Sequence, residues 1–213
     1  AARYRPNRVG GQGLRLTTEP AGTCGSTTSG ASCNSFQVLQ PGLSTTGVNW
    51  LVLYNVGTES GGVPLAGSNV WAYANPGVIT PTGSSFNVMG GAPAGESQVA
   101  VTLPGGTSSF SFAFSSPQRR LYFADQVIGY RCIGAGNNKQ LVRYSYNQLL
   151  GVVPASPPAT SNPQPLATSV SLCRFNYQPG TTQRASLLSL TLGLSQAGES
   201  IELMQQVHVD NAP

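Results

Sequence analysis

The sequence predicts a mainly β fold built of antiparallel sheets. Three observations lead there. Beyond the first nine residues helical periodicity is nearly absent, and apolar residues recur at every second position instead. Twenty-six glycines and sixteen prolines punctuate the chain at intervals suited to turns. The chain closes on two alternating segments separated by turn residues, a hairpin signal.

The elements follow in order. Residues 1–9 are rich in arginine and read as the remnant of an N-terminal helix that Pro6 would stop. Asn49 to Val56 (NWLVLYNV) is a nearly continuous apolar run and reads as a strand. Further strands are expected at Asn69 to Ala74 (NVWAYA) and Val99 to Leu103 (VAVTL). In Ser109 to Phe114 (SFSFAF), period two would put Phe110, Phe112 and Phe114 on one face. Leu121 to Cys132 is a longer mixed run, and Leu141 to Tyr146 and Val170 to Tyr177 complete the middle set. At the end, Leu188, Leu190, Leu192 and Leu194 alternate with Ser, Thr and Gly. Gln196-Ala197-Gly198-Glu199 supplies the turn, and Ser200 to Val209 runs back. Residues 76–97 and the five-proline stretch 151–165 read as surface loops. Neither looks like a tether between unrelated domains, so residues 1–213 are expected to form a single domain.

Composition narrows the class of protein. Charged residues make up 8% of the chain, against about 25% in ordinary soluble proteins. Seven Phe, eight Tyr and two Trp argue for order rather than disorder. The net charge is +4, but four basic residues (Arg3, Arg5, Arg8 and Arg15) lie at the start. From Glu19 to Arg119 the only intervening charges are Glu59 and Glu96. Without a basic stripe through its body, the chain is not expected to bind nucleic acid.

The four cysteines, Cys24, Cys33, Cys132 and Cys173, include no CxxC pair, and His208 is the single histidine. A Cys/His metal site is therefore not expected. Of the three pairings open to four cysteines, spacing favours Cys24–Cys33, closing a short polar loop, and Cys132–Cys173, stapling two strand-like segments. Disulfides imply an oxidising compartment such as the periplasm or the cell surface. An exported chain needs a targeting segment. This one opens on Ala1-Ala2-Arg3-Tyr4, so an N-terminal piece is expected to precede it.

Nothing in the sequence is assembled for catalysis, and no cofactor is expected. His208 could join Asp125 or Asp210 beside a serine, but it alternates with Val207 and Val209 on a strand, and no Gly-x-Ser-x-Gly elbow exists. The acids are scattered, with only Glu199 and Glu202 close together near the last turn. Gly10-Gly11-Gln12-Gly13 and Gly134-Ala135-Gly136 complete no phosphate-binding loop and read as turns. Trp50 and Trp71 are the candidate binding or interface residues, since an exposed tryptophan can stack on a sugar or anchor a partner. The plainer reading puts both in the core.

One pattern goes further. Ser116-Pro117-Gln118-Arg119-Arg120-Leu121-Tyr122 leads into Val127-Ile128-Gly129-Tyr130-Arg131-Cys132. Leu141-Val142-Arg143-Tyr144, Cys173-Arg174-Phe175-Asn176-Tyr177 and Gln183-Arg184 follow. The chain ends Gly198-Glu199-Ser200 … Gln206-Val207-His208-Val209-Asp210-Asn211-Ala212-Pro213. This resembles the MSHA-type pilus biogenesis minor pilins of the MshO family, themselves similar to the J-type minor pseudopilins of type II secretion. The likeness covers residues 115–213 well and residues 1–16 loosely; residues 20–114 match no pattern and mark a divergent β-rich region.

The resemblance implies a pilin-like head on antiparallel sheet, preceded by a hydrophobic helix that anchors in the inner membrane and then packs inside a pilus. It implies a head that is periplasmic first and extracellular at the pilus tip later, with no catalytic residues. Its partners would be other minor pilins and the major pilin. The family's pair of cysteines falls on Cys132 and Cys173. Two other readings stand beside a structural role in priming assembly. One is a tip adhesin that binds a surface or glycan through residues 20–114; the other is a minor pseudopilin of type II secretion. An exposed Trp50 or Trp71 would favour adhesion.

Overall fold

The computed structural model describes residues 2–6, 13–18, 23–25, 35–107, 109–150, 156–159, 161–178 and 186–209. Every regular element among them is a strand: β1 Ala2–Pro6, β2 Leu14–Thr18, β3 Thr23–Gly25, β4 Ser35–Val38, β5 Trp50–Leu53, β6 Glu59–Ser60, β7 Val63–Pro64, β8 Ser85–Met89, β9 Ser97–Thr102, β10 Ser109–Ser111, β11 Arg120–Ile133, β12 Lys139–Tyr146, β13 Gln164–Gln178, β14 Ser186–Gln196 and β15 Glu199–Val209. Apart from that of β1, the ladders between these strands are all antiparallel. The fold is mainly β, as the alternation predicts.

The start of the chain corrects one expectation. Ala2–Pro6 is not a helix end but a strand, β1, that pairs with β11. Proline fixes its own φ and pushes the preceding residue toward extended backbone, which suits a strand end better than a helix turn. Residues 7–9 lie outside the described residues.

The chain divides into two compact units, with the division at Gln126/Val127 inside β11. The first (Tyr4–Gln126, Asn147–Val152 and Ala212–Pro213) carries the larger core. There the first part of β11 pairs with β2 and β5, and the ladder continues from β2 through β4 and β9 to β8. Alternation does the sorting: Leu14 and Leu16, Phe36 and Val38, Val99 and Val101 turn inward from β2, β4 and β9. They meet Leu51, Leu53, Phe86, Leu121 and Phe123 in one cluster. β5 is buried along its whole length, as its unbroken apolar run requires. Buried hydroxyls are satisfied locally. Thr80 Oγ1 accepts from the Leu51 amide at 2.9 Å, and Ser97 Oγ donates to the Gln40 carbonyl at 2.7 Å.

Of the strand expectations in this unit, one fails and one is met only in part. Asn69 to Ala74 forms turns: the Asn69 side-chain oxygen accepts from the Trp71 amide at 3.0 Å, bending the backbone that aromatic propensity would extend. Ser109 to Phe114 keeps only three strand residues, and its aromatic side chains part company. Phe110 is fully buried, whereas Phe114 is exposed and meets Tyr54 edge to face. Conversely, β8 lies within 76–97, which the prolines and glycines had marked as loop.

The second unit comprises Ala1–Arg3, Val127–Tyr146 and Val153–Asn211. Its sheet runs in the order β11, β12, β13, β14, β15. The hairpin of β14 and β15 has eleven paired positions and a two-residue turn at Ala197-Gly198, both with positive φ, the backbone of a type I′ turn. β13 begins at Gln164 and carries Pro165 in its ladder, at a point where the pairing with β12 changes register.

Candidate interaction surface

The residues of the family-like pattern have structural work within their own units. Ser116-Pro117-Gln118-Arg119 is a turn closed by the Arg119 amide on the Ser116 carbonyl at 2.9 Å. The Ser116 hydroxyl oxygen, itself buried, accepts from the Arg120 amide at 2.8 Å and so launches β11. Gly129 stands directly opposite Tyr144, and a Cβ there would collide with the tyrosine ring. The ring covers the glycine, as aromatic residues do on sheets that lack a side chain at the facing site. Tyr144 in turn stacks on Tyr146.

The Cys132–Cys173 disulfide is present, with Cα atoms 6.4 Å apart. It joins β11 to β13, the two strands that flank β12 in the sheet order. Around it lies a small core of Leu141, Val170 and Leu192, with Phe175 and Leu194 packed alongside. Cys24 lies in β3, but Cys33 falls outside the described residues and with it the expected Cys24–Cys33 pairing; Gln183 and Arg184 lie outside them too.

The tryptophan expectations divide. Trp50 is fully buried, its indole N–H donating to Thr82 Oγ1 at 3.2 Å, so its reading as an interface residue is corrected to a core one. The continuous apolar run of β5 allows no exposed face. Trp71 is half-buried in the turns after Asn69. Of the residues weighed for chemistry, His208 is exposed on β15, Asp125 is half-buried on β11, and Asp210 lies outside the described residues. Glu199 and Glu202 are three positions apart on one strand, which turns them to opposite faces rather than toward one another. Among the described residues no cluster of three His, Cys, Asp or Glu could hold a metal ion.

The second unit instead presents a surface. Residues directly opposite in an antiparallel ladder share a face. Leu188, Leu190, Leu192 and Leu194 therefore stand beside Val207, Gln205, Leu203 and Ile201 on one side of the hairpin. On the same side β13 adds Phe175 and Tyr177. Much of this apolar face is open: Ile201 is 56% exposed and Leu203 49%. Every residue from Glu199 to His208 is exposed, and β15 is the terminal strand of the sheet order. The sequence showed this hairpin but did not single out Ile201, Leu203, Met204 or Val207. The available signal was Met204, an apolar residue among Ser200, Glu202, Gln206 and His208 on the strand's otherwise polar side.

Comparisons of the chain with protein-family models, with curated proteins and with solved structures find no match. No helix among the described residues is long and apolar enough to cross a membrane, which leaves strand-built spans untouched.

Proposed function

We propose that this chain is the head of a non-enzymatic minor pilin of an MSHA-like type IV pilus, acting in the complex that primes pilus assembly and remains at the tip. The observation that carries the reading is the residue pattern of 115–213, centred on Tyr-Arg-Cys at Cys132 and Cys-Arg-Phe at Cys173. Support comes from the antiparallel sheet on which that pattern lies and from the bond between those two cysteines. A disulfide is consistent with a periplasmic head later carried to the cell surface. A surface with little charge suits packing among protein subunits, because interface cores are depleted in charged residues. In this role the partners are other minor pilins and the major pilin, and a hydrophobic helix preceding the head anchors it in the inner membrane. Burial of Trp50 removes one of the two aromatic anchors that would have favoured a glycan-binding tip.

The test is a count of surface pili by electron microscopy in a strain that lacks this protein. Loss of pili, with recovery on complementation, is the expected result. Pili of normal number on cells that no longer attach would overturn the priming role in favour of adhesion.

A further inference from the structure

Among the described residues no strand pairs with the outer edge of β15, and that edge is unusual in what it lacks. Edge strands of soluble proteins are ordinarily blunted by lysine, proline, bulges or shortness. β15 has eleven residues, about 37 Å at the usual rise per residue. It contains no lysine and no proline, its ladder with β14 shows no register shift, and residues 203–207 (LMQQV) carry no charge.

The turn fixes which backbone groups face outward. A two-residue hairpin makes Gln196 and Glu199 a hydrogen-bonded pair, and such pairs alternate with non-bonded ones along the ladder. Odd-numbered residues of β15 therefore bond back to β14. The N–H and C=O groups of Ser200, Glu202, Met204, Gln206 and His208 point away from the sheet. An antiparallel partner strand must match these outward residues with outward residues of its own.

The strand's own sequence meets that requirement. When β15 is laid antiparallel on itself about Gln205, Glu202 stands opposite His208 of the second copy, and His208 opposite its Glu202. An imidazole N–H then faces a carboxylate twice. On the other side Leu203 stands opposite Val207, and both are about half exposed in the single chain. Shifting the centre by one residue to Met204 puts Glu202 against Gln206. Shifting it to Gln206 puts His208 against Met204. Of these three registers, only the one centred on Gln205 pairs the carboxylate with the imidazole.

We propose that two copies of this chain associate through β15, antiparallel about a twofold axis at Gln205, so that the β11–β15 sheet of one copy continues into that of the other. The contact is isologous, as expected of a symmetric pair. It does not depend on the pilin reading, since it rests only on the edge and its register.

Cysteine cross-linking of the 213-residue chain tests this directly. At the centre of the register two non-bonded partners lie with Cα atoms about 4.5 Å apart, close enough for a disulfide. Gln205→Cys is expected to give a disulfide-linked dimer on non-reducing gels, and Ser200→Cys, far from the axis, is not. Sedimentation of the unmodified chain should show a concentration-dependent dimer. Met204→Pro removes one outward donor in each copy while leaving the β14 ladder intact, and should weaken that dimer about tenfold or more. Retained disulfide and β-sheet circular dichroism would show that this variant is folded. A monomer at every concentration, equal cross-linking at residues 200 and 205, or a dimer indifferent to Met204→Pro would overturn the proposal.

Discussion

Tyr146 shows what a single side chain costs this fold. It closes β12 with its ring stacked on Tyr144, and its hydroxyl is buried without a hydrogen-bond partner among the described residues. Burial, and then the neighbouring Tyr144 phenol, push the Tyr146 phenol up to about 12 from its ordinary 10.0. The folded state thus holds this proton to higher pH than the unfolded chain does. Its contribution to stability is complete below pH 10 and is lost as pH rises through about 12. Tyr146→Phe removes both the unsatisfied hydroxyl and the titration. Denaturant unfolding should show the variant more stable at pH 8 by about 1 kcal/mol. Its advantage should widen between pH 10 and pH 12, where only the wild-type residue ionises on unfolding. A variant less stable at pH 8 would mean that the hydroxyl has a partner.

At the scale of the element, the β14–β15 hairpin carries one residue that its turn does not favour. Ala197 sits at a φ of 52°, in the left-handed region, ahead of Gly198 at 85°. Glycine bears such a backbone freely and asparagine bears it well, but alanine is strained there. Ala197→Asn creates the Asn-Gly pair that type I′ turns prefer, and thermal unfolding should show a gain of about 0.5–1 kcal/mol. This hairpin was legible in the sequence because alternation and turn chemistry agree over its whole length. The same agreement made β9, β11 and β12 legible. Where signals conflict, reading fails for a physical reason. Asn69 redirects the backbone at Trp71 by a side-chain hydrogen bond that no propensity encodes. Pro165 joins β13 because a register change accommodates it. Trp50 is in the core because β5 is covered on both faces, which its apolar run suggested but could not decide. The candidate surface was half legible: the strand could be read, but not that it ends the sheet among the described residues.

At the scale of the whole molecule, the two units draw their stability from different sources. The unit ending at Gln126 holds the larger buried cluster, with Phe36, Phe86, Phe110 and Phe123 among its members. The unit that holds Val127–Tyr146 buries Val127, Ile128, Val142, Tyr144 and Tyr146, but around its disulfide packs a separate small cluster of Leu141, Val170 and Leu192, and β14 and β15 carry an open face. A small cluster is where a cross-link matters most. The Cys132–Cys173 bond closes a loop of sequence separation 41, and loops of that size are stabilised by about 2–4 kcal/mol relative to the open chain. Replacing both cysteines, Cys132→Ser with Cys173→Ser, should therefore act on one unit and spare the other. Trp50 lies in the first unit's interior, so its fluorescence reports that unit's unfolding. Hydrogen exchange of the β12–β14 amides reports the second. The double variant should expose the β12–β14 amides at markedly lower denaturant, while the Trp50 transition moves little. If both probes shift together by the same amount, the two units unfold as one cooperative body and the bond stabilises the chain as a whole.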